Sequence, residues 1–554
     1  MKRHTRLLRL VLHISIFSML VIGLSAQHVY ERGTFVSIPA GKHINHSYYS
    51  TWNSYFAVED GVLVYDHHNE KWLDAITASN GLTQYPVLLV WQDALTQDVW
   101  MVTPDYIFTY DELSDYMSRQ SLPVDPNFSG KYQIGVTPTH IVVTSVSSGE
   151  LENHSATFLR SSSTFDQWGA NSNLEVDWGK VDWINPVAED LAELRESLPV
   201  QTVVNGQFDA EGRLHLDNYP MKSASSISSL VGDATTGESF LSTYGMGIFH
   251  QKYMNGDFYG IPYGLLSPDV MSLEIFDDQL VIGGRAGLTI IRDGNFSYDE
   301  AITDPTMEYS FISALDQSDS TLMVAGRGGV FRNNLEYGGW DKLISKNDMV
   351  SKKIYALASG SDRNLMIATD RNAYLFHESG LKLMTLFPSS LDWPVFDVNY
   401  FDGRFYIASY FGLYIFDEAS MGFVARISSG GDIQSAEASA APDPIYATTI
   451  DGDRLWASTY RGLVEFNLLT DEGQLYLSPH TPFKPRGLSF VGTRVWVGTD
   501  TGLFSFEPKT SSWRHYTQND GLISNFVTDL VAKDDYIWIG TNLGLTRIKW
   551  QNLY

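Results

Sequence analysis

Residues 519–548 read N-D-G-L-I-S-N-F-V-T-D-L-V-A-K-D-D-Y-I-W-I-G-T-N-L-G-L-T-R-I. The run from Val527 to Val531 suits a strand, Lys533 to Asp535 a polar turn, and Tyr536 to Thr541 a second strand. Asn542 and Leu543 turn the chain again, and a third strand begins at Gly544. Three short strands joined by tight turns make a meander with two apolar faces, which does not stand alone. It needs neighbours of its own kind, and the rest of the chain supplies them.

The pattern recurs as V-W-V-G-T-D-T-G-L-F at 495–504, L-W-A-S-T-Y-R-G-L-V at 455–464 and Y-I-A-S-Y-F-G-L-Y at 406–414. Further upstream it reads M-I-A-T-D-R-N-A-Y at 366–374, M-V-A-G-R-G-G-V-F at 323–331 and V-I-G-G-R-A-G-L-T at 281–289. A looser copy, F-L-S-T-Y-G-M-G-I, occupies 240–248. The turn glycine or its equivalent falls at 247, 287, 329, 372, 412, 462, 502 and 544. A repeat of roughly 40 residues carrying several strands is the sequence mark of a β-propeller.

Copies at 55–63 and 99–107 carry the series into the N-terminal part. Between about 125 and 235 the signal fades, although 141–146, 157–160 and 212–216 fit strands of two further units. About twelve units exceed the four to eight blades of one propeller. The expected fold is therefore all-β, with two β-propellers of about six to seven four-stranded blades each. Residues 27–235 would form an N-terminal propeller and 236–554 a C-terminal one, with blades shared between the rings as the alternative. The segment T-F-V-S-I at 34–38 is available to complete a blade begun at the other end of the chain. Asn185-Pro186 opens an expected helical insertion over about 185–198, with Val187, Leu191, Leu194 and Leu198 on one stripe.

At residues 519–548, and nearly so at 495–506, the W-[IV]-G-T-x-x-G-L run with its N-D-G-L-x-S-N-x-V lead-in resembles the two-component regulator propeller repeat. That family builds the extracytoplasmic sensor halves of hybrid two-component systems and various envelope proteins. The resemblance implies a propeller fold and a binding or sensing role. No kinase or transmitter is expected beyond the last unit, so direct signalling is not expected. A stand-alone array of this size is also similar to the propeller component of the type IX secretion machinery.

The 554 residues are 44% hydrophobic and 13% aromatic, ample for a large core. With no cysteine there is no disulfide framework, thiol nucleophile, thiolate metal site or lipid-modified N-terminal cysteine. The start, M-K-R-H-T-R-L-L-R, is basic, an apolar run covers 10–24, and a small residue, Ala26, precedes Gln27. These are the parts of a secretory signal peptide over 1–26, so a periplasmic or secreted protein is expected. No later stretch is apolar and long enough to cross a bilayer as a helix, so no membrane insertion is expected after cleavage. A net charge of −27 disfavours nucleic acid and anionic membranes as partners. Neutral sugars, cationic groups or a protein partner met through calcium remain.

Trp456, Trp496 and Trp538 recur at one blade position and read as core. The residues before each turn glycine are more informative, because function concentrates on loops held by a rigid scaffold. If the W-I-G-T strand is second in its blade, these turns share one ring face. They present Tyr244, Arg285, Arg327, Asp370, Arg371, Tyr410, Phe411, Tyr460, Arg461 and Asp500. Tyrosines and arginines on such turns suit a polar, planar, glycan-like ligand through stacking and forked hydrogen bonds. The chain has no G-x-S-x-G elbow, phosphate loop or H-E-x-x-H. His43/His46 and His67/His68 lack a third ligand, so no metal or other cofactor is expected. The expected function is non-enzymatic binding of an oligosaccharide or an envelope protein. A propeller-fold polysaccharide lyase or glycosidase is one alternative, and a scaffold of a secretion or envelope complex another.

Overall fold

The computed structural model describes residues 30–122, 131–146, 155–169, 182–184, 203–209, 212–216, 224–233, 235–254, 256–299, 311–318, 321–333, 339–345, 347–349, 353–361, 363–377, 384–385, 393–435, 441–480 and 483–554. Its described strands form twelve antiparallel sheets, most of them four-stranded. The expected helical insertion at 185–198 lies outside the described residues.

Seven sheets make a ring. Blades 1 to 6 occupy 270–299, 312–345, 354–385, 395–434, 445–477 and 485–516. Blade 7 takes three strands from 527–549 and its fourth, outermost strand from Phe35–Ile38. That strand pairs antiparallel with Leu545–Lys549, placing Phe35 opposite Ile548 and Ile38 opposite Leu545. The innermost strand of each blade packs beside that of the next, and Val527–Lys533 of blade 7 packs beside Val270–Phe276 of blade 1. The ring is thereby closed, and its closing strand comes from the opposite end of the chain.

Five sheets lie outside this ring, at 44–76, 89–121, 131–184, 206–216 and 227–260, the fourth with only two strands. Their inner strands Ile227–Asp233, Ile44–Tyr49, Leu89–Gln92 and Lys131–Val136 pack side by side in that order. The sheet at 227–260 thus packs with the N-terminal set, and the ring begins at Val270 rather than at 236. The repeat unit at 240–248 looks like those that follow it, but its inner strand docks on Ile44–Tyr49.

Blades stack face to face, so middle strands are covered on both sides and read as apolar runs. Arg494–Thr499 of blade 6 is buried from Val495 onward, whereas the outer strand Glu472–Leu477 of blade 5 is largely exposed. Trp456 and Trp496 are fully buried, and Trp538 nearly so. Each indole fills the space between its own blade and the next. Trp456 joins Leu488, Val495 and Phe504, Trp496 joins Leu530 and Ile537, and Trp538 joins Val270 and Leu273. The turn after each tryptophan strand needs a positive φ, +147° at Gly462 and +145° at Gly544, which glycine adopts without strain. Every inner strand of the ring carries a β-bulge near its start, leaving one extra residue unpaired.

The chain passes between the N-terminal sheets and the ring twice, at 39–43 and at 261–269. The two crossings pair in parallel at Ala40 and Leu265. Gly41 N–H donates to the Leu265 carbonyl at 3.1 Å, and Leu265 N–H to the Pro39 carbonyl at 2.9 Å. One hydrophobic cluster runs through this joint, from Phe56 and Phe240 through Tyr263 and Leu265 to Leu273 and Trp538. Among the described residues no helix is long and apolar enough to cross a membrane.

Candidate ligand-binding rim

In every blade of the ring the W-I-G-T-type strand is the second from the centre. Its following turn therefore lies at the same end of each blade as the bulge of the inner strand, which pairs with it. Arg285, Arg327, Asp370, Arg371, Tyr410, Phe411, Tyr460, Arg461 and Asp500 stand on these turns in blades 1 to 6. Tyr244 does not join them. It belongs to the sheet at 227–260 and sits at the joint, its ring 5.5 Å from that of His43.

The nine differ in availability. Arg285 pairs with Asp269 at 2.8 Å, and Asp500 with Lys484 at 3.3 Å. The Arg327 guanidinium lies 5.5 Å from the Phe311 ring centre. Phe411 turns onto Trp393, ring centres 4.3 Å apart, and is half-buried, so it supports the rim rather than facing solvent. Tyr410 and Tyr460 are exposed, at 39% and 53%.

Four further residues reach the same mouth from the inner-strand bulges: Tyr355 in blade 3, Phe396 in blade 4, Tyr446 in blade 5 and Arg486 in blade 6. Tyr355 is exposed, Phe396 and Tyr446 are 5.2 Å apart, and Arg486 stacks over Phe526 at 4.2 Å. Burial, and then the neighbouring phenols of Tyr410 and Tyr460, push the Tyr446 phenol above its ordinary pKa. The result is an aromatic arc across blades 3 to 5: Tyr355, Phe396, Tyr410, Tyr446 and Tyr460. The sequence signal for the bulge set was the variable residue after the first branched aliphatic of each inner strand, as in I-Y-A-L at 354–357 and V-F-D-V at 395–398.

Behind the rim runs the channel of the ring, a space of about 530 Å³. Glu274, Asp316, Asp397 and Asp529 line it. Three of these carboxylates clasp the next blade. Asp316 accepts from Ser359 N–H at 2.8 Å, Asp397 from Thr448 N–H at 2.7 Å and its hydroxyl at 2.9 Å, and Asp529 from Leu273 N–H at 2.8 Å. Burial pushes Glu274 up to about 8, with Asp316 adding to the effect, and Asp529 up to about 7. It raises Asp316 and Asp397 to about 6 each. Asp316, Asp397 and Asp529 thus serve as hydrogen-bond acceptors between blades, whereas Glu274 accepts from its own neighbour Ile275 N–H at 3.0 Å.

The histidine pairs lie in the N-terminal sheets. His46 is buried with its pKa lowered to about 4 by loss of solvent, and His67 Nδ1 meets Glu238 at 3.1 Å. His250 Nε2 meets the other oxygen of Glu238 at 2.9 Å, so this carboxylate ties two sheets together. Among the described residues no group of three or more such ligands is arranged for a metal ion.

No protein-family model matches the chain. Histidine kinase P4 of Formosa agariphila is 24% identical over 302 residues, a match covering 50% of this chain and 21% of that protein. The chain thus spans about a fifth of the length of the curated relative it matches. Among solved structures, PorZ, an essential surface component of the type IX secretion system of Porphyromonas gingivalis, superposes with a TM-score of 0.55 at 13% identity, covering 93% of this chain and 87% of that chain. The extracellular domain of a proposed one-component system from B. thetaiotaomicron gives 0.43 at 14% identity, covering 94% and 82%. The kinase match agrees with the resemblance of residues 519–548 to the two-component regulator propeller repeat, and the PorZ likeness with the all-β propeller architecture.

Proposed function

We propose that this chain is an extracytoplasmic, non-enzymatic propeller module that binds a glycan on the aromatic side of the ring mouth. The observation that carries the reading is the arc of Tyr355, Phe396, Tyr410, Tyr446 and Tyr460, held at one end of three adjacent blades. Three of its five rings are exposed, at 39% to 53%. Apolar ring faces with a hydroxyl at the edge are suited to sugar rings, and turns and bulges braced by a closed ring hold them without an ordering cost on binding. The basic and apolar start of the sequence supports export. The kinase and surface-protein relatives are compatible with a sensing or envelope role.

The test is a glycan panel read by isothermal titration calorimetry with the intact chain, repeated on Tyr460→Ala and Tyr446→Ala. Saturable binding that weakens by about tenfold or more in either variant is expected, the loss of one stacking platform at about 1–2 kcal/mol. Turnover of any glycan in the same incubations would defeat the non-enzymatic reading. Unchanged affinity in both variants would move the site elsewhere.

A further inference from the structure

The rim is cationic on a protein whose net charge is −27. Arg285 and Lys484 are neutralised by Asp269 and Asp500. Arg461 and Arg486 are not: among the described residues, neither has a carboxylate within ion-pair distance. Arg461 is exposed beside Tyr460. Arg486 is exposed and lies over Phe526, 4.2 Å from the ring centre, a contact that uses none of its N–H donors for an ion pair. The two arginines belong to adjacent blades, 5 and 6, and the inner strand that carries Arg486 packs beside both Ile445–Asp451 and Arg454–Thr459. Tyr446 and Tyr460 stand in the same sector.

Resting on the rim as the ligand site, we infer that this sector selects an acidic oligosaccharide. Sugar rings stack on Tyr446 and Tyr460, while a carboxylate or sulfate takes forked hydrogen bonds from Arg461 and Arg486. Composition alone pointed to neutral or cationic ligands, but the charge relevant to binding is local. The acids of the channel lie behind the rim and keep an anionic substituent at the mouth. Two arginines in an acidic surround match one isolated anionic group. An extended polyanion such as nucleic acid would lay most of its length against repelling surface.

The experiment titrates the intact chain with tetragalacturonate, a heparin tetrasaccharide, carboxyl-reduced tetragalacturonate and hexaglutamate. At least one acidic sugar is expected to bind about tenfold tighter than the reduced one, the worth of a charge-assisted hydrogen-bond pair, with the gap closing as salt is raised. Arg461→Gln and Arg486→Gln should each abolish that preference, weakening the acidic sugar about tenfold more than the reduced one. Tyr460→Ala should weaken both kinds of sugar. Equal binding of the reduced sugar, insensitive to both arginine variants but lost in Tyr460→Ala, overturns the acidic preference and leaves the rim standing. Hexaglutamate binding as tightly as the sugars overturns it too, because the site would then read charge alone. Absence of binding by all three sugars counts against both the preference and the rim.

Discussion

Asp529 is held in the ring channel by backbone N–H groups, Leu273 of blade 1 and its own neighbour Leu530, with no cation beside it among the described residues. Its pKa, about 7, and those of Glu274 and of Asp60, a buried turn residue of the sheet at 44–76 that accepts from Ala40 N–H, about 8, exceed the unfolded values of about 4. The folded protein therefore keeps protons that the unfolded chain releases, so these groups favour folding at low pH. That contribution is lost as pH rises through the folded pKa values. Between pH 7.5 and 8.5, above the unfolded titration of histidine at about 6.5, thermal stability is expected to fall, by about 1.4 kcal/mol per pH unit for each proton retained. Glu274 faces Asp316 and Asp529, and Asp529 faces Asp397, so the four should not titrate independently. Calorimetric melts at constant ionic strength check the slope; a stability that is flat or rises with pH would contradict it. Trp496→Ala should cost about 3–5 kcal/mol by urea unfolding, because the fully buried indole fills the gap between blades 6 and 7. The indole's role was readable from its recurrence in the repeat. The channel acids were not, because one repeat does not tell which of 65 acidic residues points at the axis. Tyr355, Phe396 and Tyr446 escaped for a related reason: a bulge shifts the register by one residue, and simple alternation does not reveal it.

At the scale of the blade, the inner strands are tied by side chains as well as by packing. Thr448 gives Asp397 two hydrogen bonds, and Thr448→Val removes the hydroxyl while keeping the shape and the N–H. A loss of about 1–2 kcal/mol is expected in denaturant unfolding, with no change in the slope against denaturant. A second prediction concerns Phe35–Ile38. Deleting residues 30–38 exposes the edge of Leu545–Lys549 and removes Phe35 from its cluster with Tyr516 and Leu522. Hydrogen exchange should then speed up most in Leu545–Lys549, and least in blades 3 and 4 across the ring. Uniform acceleration would mean that the ring unfolds as one unit. The segment at 34–38 was visible in the sequence as a spare strand able to close a blade. Its partner was not, because pairing between residues about 500 positions apart leaves no local signature.

For the molecule as a whole, the joint depends on two glycines where the crossings meet. A Cβ at Gly41 would lie 1.7 Å from the Tyr263 carbonyl oxygen, and one at Gly264, where φ is +77°, would lie 2.4 Å from that of Pro39. Gly41→Val should push the crossings apart. The expected outcome is a larger radius of gyration by small-angle X-ray scattering, with the far-UV circular dichroism of the sheets retained. An unchanged radius would mean that the shared cluster of Phe240, Leu265 and Trp538, rather than the crossing, sets the arrangement. About twelve repeat units were countable from the sequence, but their division was not. The unit at 240–248 has the same internal pattern as its successors, and only its docking on Ile44–Tyr49 assigns it to the N-terminal set. The outermost strand of blade 7 has a further consequence, in time rather than in space. Its residues leave the ribosome well before their partners at 545–549. Between the two, every other blade of the ring is made. An early edge must therefore wait, unpaired and exposed to sticky encounters, until the hairpin of 536–549 arrives. A chain cut short before Leu545 would strand Phe35–Ile38 as well.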